Sequence, residues 1–98
     1  MSHGLVIHAP TAEALQRALN NLKNFRADDR TTPLLLIANG PAVKHALELP
    51  EVEMSSLIRL CQNSLKTQGL EPGFYQTVAS AVVEVHRLQQ DGWSYWRA

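Results

Sequence analysis

The sequence predicts an α/β protein, a five-stranded, mostly parallel, doubly wound sheet with helices on both faces, formed by residues 1–98 as one domain. Three observations lead there. Short β-favouring apolar runs alternate with segments whose apolar residues recur every three or four positions. The run Leu34-Leu35-Leu36-Ile37-Ala38 is apolar throughout, as in a strand covered on both faces. Turn and cap residues separate the two kinds of segment, which implies βαβ units whose right-handed crossovers place helices on both faces.

Each element has its own signal. Leu5-Val6-Ile7 is the first strand, ending at His8-Ala9-Pro10, and Thr11 opens a helix. Leu15, Ala18, Leu19, Leu22 and Phe25 form the apolar stripe of that helix, about 15 residues long, with Glu13, Arg17 and Lys23 off the stripe. A polar turn from Asp28 to Pro33 leads into the second strand, Leu34–Ala38. Asn39-Gly40-Pro41 ends it, with Pro41 suited to a first helical position. Ala42, Val43, Ala46 and Leu47 give a short helix closed before Pro50. Residues 49–56 read either as a helix end or as a loop.

Leu57–Cys61 is the third strand, broken by Gln62-Asn63-Ser64. A short helix runs from Ser64 to Gln68 and ends at Gly69, a usual place for a left-handed residue. After the Glu71-Pro72-Gly73 turn, Phe74–Val78 is the fourth strand. Ser80 caps a helix carrying Val82, Val83, Val85, His86 and Leu88, which ends at Asp91-Gly92. Trp93–Arg97 is a last, aromatic strand, with Trp93 and Tyr95 on one face and Trp96 on the other.

Composition bounds the function. Nine Lys+Arg balance nine Asp+Glu, which argues against a nucleic-acid partner. Apolar residues make up 45% and charged residues 18%, ordinary for a folded globular domain. The longest wholly apolar run is far below the roughly 20 residues that cross a bilayer, so no membrane association is expected. The N-terminus shows no secretory signal, and the cytoplasm is the expected location. One cysteine excludes an intrachain disulfide framework. Only His3 and His8 have a ligand-like His-x₃₋₅-His spacing, at the N-terminus, so no metal is expected. No dinucleotide fingerprint, phosphate loop or nucleophile elbow is present, and no cofactor is implied.

In an open parallel sheet, ligands sit outside the carboxyl ends of the strands. That rule gathers His8, Asn39-Gly40, Cys61-Gln62-Asn63-Ser64 and Ala79-Ser80 onto one rim. Cys61 closes a strand and faces the start of a helix, where free N–H groups and the helix dipole favour a thiolate. The competing reading is a small buried apolar residue, since free Cys is among the most buried types. His8 reads as a base or cationic neighbour of that thiolate, or as a locally hydrogen-bonded side chain. Asn39-Gly40-Pro41 reads first as a cap. Three aromatics on a sheet edge suggest subunit contact, hence a homo-oligomer.

Four blocks occur in order: Asn20-Asn21-Leu22-Lys23-Asn24-Phe25, Ala38-Asn39-Gly40-Pro41-Ala42-Val43, Cys61-Gln62-Asn63-Ser64-Leu65-Lys66 and Leu88-Gln89-Gln90-Asp91-Gly92-Trp93-Ser94-Tyr95. With them the chain resembles the DsrE/DsrF-like family across nearly its whole length. The resemblance implies a five-stranded, flavodoxin-like α/β fold, homo-oligomeric assembly, and a part in sulfur relay. In that chemistry a cysteine, here Cys61, carries sulfane sulfur as a persulfide between a protein donor and an acceptor. Asn39 and Asn63 are then the expected site-lining residues, joined by Gly40, Ser64 and His8 from the strand-end rim. The alternative expectation is a non-catalytic oligomeric, partner- or small-ligand-binding module with an inert Cys61.

Overall fold

A computed structural model describes residues 3–98, with elements β1 (Leu5–Ala9), α1 (Ala12–Asp28), β2 (Leu34–Ala38), α2 (Ala42–Leu47), β3 (Ile58–Cys61), α3 (Gln62–Gln68), β4 (Gln76–Val78), α4 (Ala81–Gln90) and β5 (Ser94–Arg97). A 3₁₀ turn, Glu53–Leu57, precedes β3. The strands pair in the order β4-β3-β2-β1-β5, all parallel. This is the expected α/β sheet, with a flavodoxin-like arrangement of parallel strands and flanking helices.

Handedness explains where the helices lie. β1, β2, β3 and β4 follow one another across the sheet, so right-handed crossovers put α1, α2 and α3 on one face. The chain then returns past β1 to the opposite edge, which puts α4 on the other face. The core divides accordingly. Ile7, Leu36 and Leu60 pack with Leu15 and Leu22 of α1, Val43 of α2 and Leu65 of α3. Val6, Ile37 and Cys61 pack with Ala81 and Leu88 of α4. Fully burying a side chain such as Ile7 or Leu36 contributes about 1.5–3 kcal/mol.

Local chemistry sets the boundaries. The Thr11 hydroxyl accepts the Ala14 N–H at 3.0 Å and starts α1, a cap that contributes about 1 kcal/mol. Gly69 closes α3 at φ 66°, in the left-handed region expected from its place in the sequence. Gly40 takes φ 57°, and a Cβ there would stand 3.1 Å from the Pro10 carbonyl, so β2 ends in a turn that glycine suits.

Several elements differ from expectation. α3 begins at Gln62 rather than Ser64, with no break after β3, because Cys61 itself stands at its N-cap in extended conformation. β4 is only Gln76–Val78; the Tyr75 N–H donates to the Pro72 carbonyl at 3.2 Å, which keeps Phe74 and Tyr75 in the turn. Leu57 belongs to the 3₁₀ turn, not to β3. On α4 the face toward the sheet is Ala81, Val85 and Leu88, while Val82 and Val83 point outward at 76% and 63% exposure. Ser80 holds the N-cap position of α4 without a side-chain cap hydrogen bond.

β5 follows its predicted alternation. Trp93 packs into the core under α4, and Tyr95 meets His8 on that same face. Trp96 turns to the opposite face, where its indole N–H donates to Asn21 Oδ1 of α1 at 3.2 Å.

Candidate functional site

The reversal of chain direction across the sheet lies at β1. α1 leaves β1 over one face and α4 reaches the adjacent β5 from the other, so the crevice at their carboxyl ends is the place where such sheets bind ligands. The predicted rim residues form two adjoining groups there.

The first group is built on His8. β1 directs His8 toward the α4 face, two residues beyond the level of Tyr95 on β5. His8 Nδ1 lies 2.7 Å from the Tyr95 hydroxyl, and Nε2 lies 2.7 Å from Asn39 Oδ1. With Oδ1 facing the ring, Nε2 carries the proton and Nδ1 accepts the Tyr95 O–H. Asn39 therefore spends its side-chain oxygen on His8; the capping role suggested by its position is not the one it takes. His8, Asn39 and Tyr95 line a cavity of about 130 Å³ closed by Ala81, Val82 and Val85.

The second group surrounds Cys61. Its thiol is 4% exposed. Burial pushes the thiol up, but the N–H groups of Ser64, Ala81 and Asn63 and the Ser64 side chain outweigh it, leaving Cys61 below the ordinary thiol range. The Ala81 N–H reaches Sγ at 3.4 Å. The sulfur thus faces the first turn of α3 and the first residue of α4. The Ser64 hydroxyl also accepts the Gly40 N–H at 2.8 Å, tying the end of β2 to α3. Asn63 is exposed, and neither it, Gly40 nor Ser64 lines the His8 cavity.

Ala81 joins the two groups, lining the cavity with one side and donating its N–H to Cys61 with the other. Tyr95, Val82 and Val85 are site residues that the sequence reading did not select. Period-2 alternation already placed Tyr95 on the face of Trp93, but only the pairing of β5 with β1 sets it beside His8.

A wider groove of about 390 Å³ runs between α1 and β5, lined in part by Asn21, Asn24, Phe25 and Trp96. Asp28 also lines it, but no second titratable side chain stands beside that carboxylate in the lining. Among the described residues no three His, Cys, Asp or Glu side chains are grouped to hold a metal ion. No described helix is long and apolar enough to cross a membrane. A scan against models of known protein families gives no match. A search of curated proteins gives none either.

Proposed function

We propose that this protein is a cytoplasmic sulfur carrier, with Cys61 as its persulfide-bearing residue and other proteins as donor and acceptor. The observation that supports this is the set of N–H groups from Ser64, Ala81 and Asn63 around Sγ, which favours a thiolate in spite of burial. The four-block resemblance to the DsrE/DsrF-like family supplies the class of chemistry. The Cys61 thiolate attacks the outer sulfur of a sulfane donor, the donor's S–S bond breaks, and the donor leaves as a thiolate. Cys61 then holds the outer sulfur as a persulfide. An acceptor thiolate attacks that sulfur, and Cys61 leaves as the thiolate it was. Neither half needs a resolving cysteine or a net oxidant.

The sulfur lies under the start of α4, so exchange requires the first turn of that helix, Ala81 included, to lift away from Sγ. Intact-mass spectrometry after polysulfide treatment tests the reading. A reducible gain of one sulfur in the wild type and none in Cys61→Ser is expected. A thiol that neither loads nor reacts with iodoacetamide until the protein unfolds would overturn it.

A second reading has its own observation. β5 is an edge strand whose four residues are all exposed, with Trp96 at 56%. In this reading Cys61 is inert core, and the chain is a homo-oligomeric or partner-binding module joined through β5. Trp96→Ala would then lower the sedimentation coefficient of the assembly, and a monomer in both forms would reject it.

A further inference from the structure

The cavity beside His8 has a composition that sulfur carriage does not use. Its polar contributors are His8, Asn39 and Tyr95, and the rest of its lining is Ala81, Val82 and Val85. No carboxylate is among them. Arg97 stands level with His8 on β5, on the same face, and pairs with no carboxylate among the described residues.

The hydrogen bonds already made within the cavity limit what it can still offer a ligand. Both His8 nitrogens are engaged, and Asn39 has committed Oδ1. That leaves the two N–H bonds of the Asn39 amide and the oxygen of Tyr95. While His8 is neutral, the Tyr95 proton points at Nδ1. A proton added to His8 makes both ring nitrogens donors, so Nδ1–H donates to the Tyr95 oxygen and the phenol's own proton turns outward. The site then presents the Tyr95 O–H and the Asn39 N–H bonds, beside a cationic ring and Arg97. Those are donors for an oxyanion. Ala81, Val82 and Val85 suit a short hydrocarbon tail, and a volume of 130 Å³ is just below that of a cavity of about 150 Å³ that holds a six-carbon ring.

We propose that this cavity binds a short aliphatic carboxylate of about two to four carbons, a size set by its volume, and that binding takes up one proton at His8. The carboxylate lies on Asn39 Nδ2 and the Tyr95 hydroxyl, with its tail against Val82 and Val85. The groups facing His8 are Tyr95 and Arg97 from β5, Ile37 and Asn39 from the β2 strand and its end, and the uncharged Ala81, Val82 and Val85 from α4. None competes for the proton as a carboxylate would. Cys61 does not line the cavity, and only Ala81 borders both.

Propionate titrated into the isotope-labelled protein, followed by NMR, tests this, with propionamide and inorganic phosphate as comparison probes. Saturable shifts at Val82, Val85 and Tyr95 are expected with propionate alone. Affinity should rise as the pH falls toward about 6, because binding takes up a proton. Tyr95→Phe should weaken propionate about tenfold, the loss of one hydrogen bond to a charged group. Cys61→Ser should leave it unchanged. Equal binding of propionamide or phosphate, shifts elsewhere on the surface, an affinity that does not change with pH, or no saturation at millimolar propionate would each overturn the proposal.

Discussion

The backbone N–H of Ala81 donates to the Sγ of Cys61 across 3.4 Å, fastening the first residue of α4 to the last residue of β3. The contact favours the thiolate, and with Ser64 and Asn63 it holds the folded-state titration of Cys61 below that of the unfolded chain. The interaction therefore stabilises the fold above the ordinary thiol range and loses that contribution as pH falls through the folded value. Denaturation midpoints of wild type and Cys61→Ala should diverge as pH rises past neutrality. A difference that stays flat with pH would remove the thiolate from this account.

Asp29 carries the clearest acid-range signal. Its carboxylate accepts the Thr32 hydroxyl at 2.6 Å and the Thr32 and Thr31 N–H groups at 2.9 and 3.0 Å. The Thr32 hydroxyl, then the two backbone donors, lower it from 3.8 to about 2. Such a depressed carboxyl stabilises the fold above its unfolded value and ceases to do so as pH falls through the folded one. Asp29→Asn should melt at lower temperature than wild type near neutrality, and the gap should close between about pH 4 and pH 2. Thermal melts across that interval would show it.

Tyr75 links the turn before β4 to α2, because its buried hydroxyl donates to the Ala46 carbonyl at 2.8 Å. That carbonyl also accepts the Leu49 N–H at 3.1 Å, so Tyr75→Phe leaves it one partner. The expected cost is about 1 kcal/mol, near a single neutral hydrogen bond. Urea unfolding with an unchanged slope would measure it.

Gly4 is required by proximity rather than by a turn. A Cβ there would stand 2.6 Å from the Trp93 ring and 2.7 Å from the Pro33 carbonyl oxygen. The same segment receives the Ser94 N–H on the Gly4 carbonyl at 2.9 Å, which aligns β5 on β1. The backbone oxygen cannot yield as a flexible side chain would. Gly4→Ala should cost about 1–3 kcal/mol by overpacking, read as a lower urea midpoint. Gly69→Ala makes the useful comparison, since no atom lies within 4 Å there and only its left-handed backbone opposes the change.

The legible parts of the fold were those with an unambiguous period. Leu34–Ala38 could only be an internal strand, and Leu15, Ala18 and Leu22 mark a single stripe, all fully buried. α4 was harder, because Val82, Val83 and Val85 together span more of the helix than one sheet can cover. The contact of Ala81 with Cys61 decides which of them face inward. Phe74 and Tyr75 have strand-like residue types, yet the Pro72 turn holds their backbone, and pairing with β3 begins only at Gln76 opposite Arg59.

Among the site residues, the rim rule brought His8 and Asn39 to one end of the sheet, and the structure joins them directly. It brought Cys61 to the same end but did not foretell its cover. The sequence by itself determined the α/β class, the parallel sheet and the end of it where chemistry would gather, since these follow from periodicity and from crossovers of one hand. Only the tertiary structure decided that Tyr95 completes the His8 group and that Ala81 shields Cys61. Both depend on where the chain goes after β4: crossing under α4 to the far edge brings residues 95 and 81 beside residues 8 and 61. No local pattern encodes such a meeting, because neither partner's own backbone conformation depends on it.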